Sequence, residues 1–92
     1  MSAELKLEQQ TLRLIGEWNA DDVAAQWPQL AKCQATELDL AKLKRIDSAG
    51  IAAIITALKP EPSNRLIVKH CPDQAKQLLT LYELDALLQF EN

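Results

Sequence analysis

Glycine, proline, cysteine, histidine and aromatic residues are all scarce in this chain. It has two glycines, four prolines, two cysteines and one histidine in 92 residues, and aromatics make up 4%. With only Gly16 and Gly50, no glycine-rich loop is present to cradle a phosphate. With only His70, no Ser-His-Asp arrangement can form, and paired carboxylates with a histidine partner are lacking, so no enzyme is expected. His70 and Cys71 are adjacent but have no further ligands nearby in sequence, and Cys33 and Cys71 show neither metal spacing nor a C-x-x-C pattern. A small oxidised domain usually carries more cysteines, so both read as free thiols. Positive charge is not in excess either. Ten Lys and Arg against 13 Asp and Glu give a formal charge of −3 and a pI near 5.0. That balance excludes a backbone-tracking nucleic-acid binder and offers no attraction to an anionic membrane surface. No apolar run approaches a membrane span, and MSAELKLEQQ has no apolar signal-peptide core. The expected location is cytoplasmic, with any association with the inner membrane made through a partner.

Apolar residues make up 48% of the chain, enough for one core built mainly of Leu, Ile, Val and Ala. The length suits a single domain over residues 1–92. Leu5 and Leu7, then Leu12 and Leu14, alternate with polar residues and predict two short strands joined at Gln9–Gln10. Gly16 interrupts that pattern. Asn19 suits a helix N-cap, with Asp21 and Asp22 placed favourably in the first turn of a helix running to Cys33. Val23, Trp27 and Leu30 form its apolar side, and Pro28 is expected to kink or restart it. Leu66–Ile67–Val68 reads as an inner strand, parallel to one at 37–40, with the intervening helix as a right-handed crossover. Between them Lys59–Arg65 is a polar surface loop with two prolines. Pro72–Asp73 opens a last helix with Ala75, Leu78, Leu79 and Tyr82 on its apolar stripe. Residues 84–90 fit either a short strand or a further helical turn.

The informative stretch is ELDLAKLKRIDSAGIAAIITAL, Glu37 to Leu58. Leu38, Leu40, Leu43 and Ile46 lead into a polar elbow at Asp47–Ser48–Ala49–Gly50. Ile51, Ile54, Ile55 and Leu58 then fall on one helical stripe, and Pro60 and Pro62 end the helix. The opposite face carries Ala49, Gly50, Ala52, Ala53, Thr56 and Ala57, with no charge from Ser48 to Leu58. A helix neutral all round is either buried in its own domain or covered by a partner. A domain this small has few layers to bury one in, which favours the partner. Ser48 is expected to cap the helix. It is also placed as a partner contact or a phosphate acceptor, because free amides and the helix dipole favour an anion there. Asp47 is a second capping oxygen or a recognition group. DSAG lacks the G-x-S-x-G pattern of a hydrolase elbow.

This strand–DSAG–helix unit resembles the signature of STAS domains, the anti-sigma-factor-antagonist fold. Leu14–Ile15–Gly16–Glu17–Trp18–Asn19 resembles the family's L-x-G-E-L-D segment, with Trp18 in place of leucine and Asn19 in place of aspartate. Leu78–Leu79–Thr80–Leu81–Tyr82–Glu83–Leu84 resembles the late L-x-x-L-Y-x-L helix of the STAS subunits of Mla-type phospholipid-transport ABC systems. The resemblance implies an α/β fold, a small mixed sheet with helices mainly on one face. It also implies a regulatory subunit without cofactor that docks on an MlaF-like ABC transporter ATPase in complex with a permease, in a system that maintains outer-membrane lipid asymmetry. The contact would comprise Trp18, Asn19, Asp47, Ser48, Ala49, Gly50, Ala52, Ala53 and Thr56, with Glu17 at its rim. The alternative it implies is an anti-sigma factor antagonist, in which a serine kinase phosphorylates Ser48 and so releases the anti-sigma partner.

Overall fold

A computed structural model describes residues 3–91. Strand β1 (Glu4–Glu8) and strand β2 (Thr11–Trp18) form an antiparallel hairpin that pairs Glu8 with Thr11. The two-residue turn is made without Asn-Gly because Gln9 takes the left-handed conformation, φ 55°. Helix α1 (Ala20–Leu30), β3 (Glu37–Asp39), β4 (Leu43–Ile46) and α2 (Ser48–Leu58) follow. Then come β5 (Leu66–Lys69), α3 (Asp73–Leu81), a 3-10 turn at Asp85–Leu87, and β6 (Leu88–Glu91).

The sheet has the order β1-β2-β3-β5-β6, with β4 paired to β2 alone. β2 therefore serves two partners. Thr11–Arg13 pair in parallel with β3, whereas Gly16–Trp18 pair in parallel with β4. The register shifts between Gly16 and Glu17, and Gly16 sits at φ 87°, a backbone angle L side chains rarely adopt. The alternation thus ends at Gly16 in the sequence while the strand continues to Trp18. The expected strand at 37–40 stops at Asp39, and a turn at Ala41–Lys42 separates it from β4. β5 lies inside the sheet, parallel to both β3 and β6.

Period-two alternation divides the sheet into two unlike faces. Leu12, Leu14, Leu38, Leu66, Val68 and Leu88 are buried in one core with Leu30 of α1, Ile51 and Ile54 of α2, and Ala75 and Leu79 of α3. Each buried leucine or isoleucine contributes about 1.5–3 kcal/mol by removal from water. Thr11, Arg13, Glu37, Asp39 and Lys69 occupy the other face and bond across strands. The Thr11 hydroxyl donates to Glu37 at 2.9 Å, Lys69 pairs with Glu37 at 3.3 Å, and Arg13 pairs with Asp39 at 3.5 Å.

α1 ends at Leu30 rather than Cys33 and runs through Pro28. Pro28 has no amide to donate to the Ala24 carbonyl, so the helix forgoes one bond there without being interrupted. Residues 84–90 resolve into both readings in turn, a 3-10 turn and then a strand.

Candidate functional site

The elbow between β4 and α2 is built from four segments. Asp47 is the N-cap of α2, its carboxylate accepting from the Gly50 amide at 3.1 Å. Ser48 is therefore not the cap, as the sequence pattern had predicted, but the first helical residue, with an exposed side chain. The Asp47 amide donates to the Trp18 carbonyl at 3.4 Å, which fastens the elbow to the end of β2. Gln74 of α3 donates from its side chain to the Ile46 carbonyl at 2.9 Å, which fastens it from the other side. Asn19 caps α1 next door, accepting from Asp21 and Asp22 while Asp22 accepts from the Asn19 amide, a complete capping box.

Gly50 is where the packing is closest. A Cβ at this position would lie 2.5 Å from Cγ1 of Ile46 and 2.6 Å from the Trp18 carbonyl oxygen. Only glycine lets the first turn of α2 seat on β2 and β4.

The structure divides the neutral face of α2 between core and surface. Gly50 and Ala53 are buried inside the domain, as is Trp18, 1% exposed with its indole N–H donating to the Ile15 carbonyl at 3.2 Å. These three are core residues. The reason is geometric: the first turn of α2 seats on β2 and β4 at Gly50 while α1 packs against the helix, so part of its neutral face turns inward. Asn19, Asp47, Ser48, Ala52 and Thr56 remain exposed, and Ala49 is half-buried.

Two concavities meet at the elbow. A mixed cleft of about 380 Å³ is lined by Glu17, Trp18, Asn19, Arg45, Ile46, Asp47 and Ser48 together with Gln74, Leu78 and Tyr82 of α3 and the turn after it. A shallow apolar groove continues from it along Ser48, Ala49, Ile51, Ala52, Ile55 and Thr56 to Tyr82 and Leu84. Tyr82 and Leu81 are 48% and 71% exposed. Gln74, Arg45 and Leu84 were not anticipated as neighbours of the elbow. Only the packing of α3 against β4 and α2 brings Gln74 and Leu84 there, and no local pattern encodes that contact.

His70 is in the left-handed region, φ 56°, and bonds Asp39 through Nδ1 at 3.1 Å on the open sheet face, far in sequence from the elbow. Burial alone would raise the Asp39 pKa, but the Ala41 amide, His70 and Arg13 outweigh it and hold the carboxyl below its usual range. Bonds from Thr11 and Lys69 lower that of Glu37. Both cysteines are free, and burial raises both thiols, Cys71 to about 11. Among the described residues no group of three His, Cys, Asp or Glu is arranged to hold a metal ion, and no helix is long and apolar enough to cross a membrane.

The profile of the family described as "Mlab, STAS domain" matches residues 1–89. The chain belongs to the STAS family. Its fold is similar to that of two solved structures. The anti-sigma factor antagonist SpoIIAA in its unphosphorylated form superposes with a TM-score of 0.63 at 13% identity, covering 99% of this chain and 88% of that one. A DUF3478 protein with a SpoIIAA-like fold from Shewanella loihica PV-4 gives a TM-score of 0.52 at 12% identity, covering 99% and 84%. No curated relative matches the sequence. STAS membership supports a regulatory or protein-interaction role.

Proposed function

We propose that this STAS domain is a non-catalytic subunit that binds and regulates the ATPase of an Mla-type ABC phospholipid transporter, with the elbow and α2 in the contact. The observation that carries this reading is the groove from Ser48 to Tyr82. Ala52, Thr56 and Tyr82 are exposed along it, and α2 offers no charge that a permanent partner would have to desolvate. The contact is accordingly Asn19, Asp47, Ser48, Ala49, Ala52 and Thr56, extended by Tyr82. The domain would act on the cytoplasmic side and reach the membrane only through the ATPase and its permease. The test is Ser48→Arg. Ser48 is exposed and does not cap the helix, so the variant should fold normally yet lose co-purification with the ATPase and permease. Unchanged co-purification would move the contact elsewhere.

One feature favours a second reading, a phosphorylation-switched antagonist of an anti-sigma factor. Because Asp47 takes the capping role, the Ser48 hydroxyl is exposed beside the free amides of the first turn. A phosphate there would be stabilised by the helix N-terminus and would oppose docking on the neutral groove. Phosphopeptide mapping of Ser48 in cells and loss of an anti-sigma partner by Ser48→Asp would establish that switch.

A further inference from the structure

On the sheet face away from the helices, β1 and β2 set two cations against each other. Lys6 and Arg13 are register partners in the antiparallel hairpin, and like charges placed directly opposite destabilise a strand pair. A third cation joins them from the turn between β3 and β4. Lys6, Arg13 and Lys42 line one small concavity of about 90 Å³, with Asp39 and Ala41 beside them. It opens at Leu14 and Ile15, the two residues of β2 between its pairing with β3 and its pairing with β4. The elbow cleft, by contrast, holds one cation, Arg45, with Glu17 and Asp47, and the α2 groove holds none. Arg13 is not fully committed to its own carboxylates. Glu8 and Asp39 each lie 3.5 Å away, longer than the roughly 2.7–2.9 Å of a charge-assisted bond, and the Glu8 pair is exposed on both sides. Asp39 is further occupied by the Ala41 amide and His70. A sheet face of mixed charge needs no ligand, but a repulsive register pair joined by a third cation in one concavity is relieved by an anion.

We propose that this concavity binds a doubly charged phosphate group, as in inorganic phosphate or a phosphate monoester. Three cations against one carboxylate leave two positive charges, which a monoester balances at neutral pH and a diester or carboxylate does not. The guanidinium fork of Arg13 suits the oxygens of such a group, and the two ammonium groups add point charges. An opening of this size admits the oxyanion head and leaves whatever it is attached to in solvent. A soluble phosphate and the headgroup of a monoester lipid therefore meet the same contacts. The site faces away from α2, so it can be filled while the elbow is docked, and it does not rest on the docking reading.

The test titrates inorganic phosphate into the full chain at constant ionic strength and neutral pH, following backbone amide shifts by NMR. The amides of Lys6, Arg13, Ala41 and Lys42 should shift along one saturation curve, and saturating phosphate should raise Tm by several degrees. Lys6→Gln and Lys42→Gln, both at exposed positions, should each weaken phosphate binding about tenfold or more. Lys6→Gln should also raise Tm in phosphate-free buffer, because it relieves the repulsion with Arg13. An equal response to chloride, a response without saturation, shifts centred on the start of α2, or variants that bind like the parent would each overturn the site. Vesicles then distinguish the source. Co-sedimentation with phosphatidylcholine vesicles containing phosphatidic acid, but not with those containing phosphatidylglycerol, and lost in both variants, would assign the site to a monoester lipid. No co-sedimentation beside a saturable phosphate response would assign it to a soluble phosphate. Equal binding to both vesicle types would be attraction to negative charge alone and would overturn a site for a doubly charged phosphate.

Discussion

Gly50 shows how one residue governs the site. Its missing Cβ is what lets α2 begin directly over the end of β2, within 2.6 Å of where a side chain would meet the Trp18 carbonyl. The backbone carbonyl cannot yield, and Ile46 is itself buried. Gly50→Ala should therefore cost about 1–3 kcal/mol despite alanine's better helix propensity, as overpacking does. Thermal unfolding would show it as a clear fall in Tm. The two residues before it separate by role. Asp47→Ala removes the cap on the Gly50 amide and should cost about 1 kcal/mol. Ser48→Ala should change stability by less than about 0.5 kcal/mol, as expected at an exposed position. Equal losses in chemical denaturation would mean that Ser48 shares the capping role.

At the scale of elements, the open face of the sheet ties β1, β2, β3 and β5 together through ion pairs that are mostly exposed and individually weak. Asp39 is the exception, its side chain 14% exposed and held by Ala41, Arg13 and His70. Its pKa is lowered in the folded state, so its contribution is present above the unfolded value near 4 and is lost as pH falls through the folded value. Asp39→Asn should accordingly lower the urea midpoint at pH 7, and the gap from the parent should narrow below about pH 4. A gap that is constant with pH would mean that the carboxylate's charge contributes nothing. The strand alternation announced which residues face this side, but not that they would meet as Thr11–Glu37–Lys69 and Arg13–Asp39–His70. Those meetings depend on β3 lying between β2 and β5, a strand order no local pattern states.

For the whole molecule, the last strand closes the core. Leu88 is buried, Phe90 is half-buried with Lys76 over its ring at 5.2 Å, and β6 covers the edge of β5. A chain ending at Leu87 forfeits the burial of both side chains, about 2 kcal/mol each, from a total stability on the order of 5–15 kcal/mol. It should unfold at markedly lower denaturant and aggregate through the bared β5 edge. An unchanged midpoint would show that α3 alone closes that end.

The hairpin, the three helices, the inner strand β5 and the elbow were all legible in the residue order. Each is set by short-range alternation, helical spacing, capping groups and prolines. The STAS signature was legible for the same reason, since it is written in contiguous residues. Tertiary structure alone decided three things. It made Trp18, Gly50 and Ala53 core residues, because α2 seats on the ends of β2 and β4 and packs against α1, and a helical face has no fixed outside until its neighbours are placed. It gave the cap to Asp47 rather than Ser48, because the Trp18 carbonyl holds the Asp47 amide and sets where the helix starts. It also brought Gln74, Tyr82 and Leu84 to the elbow across about thirty residues of chain, because α3 can cover the remaining apolar strip of the sheet only by packing beside α2.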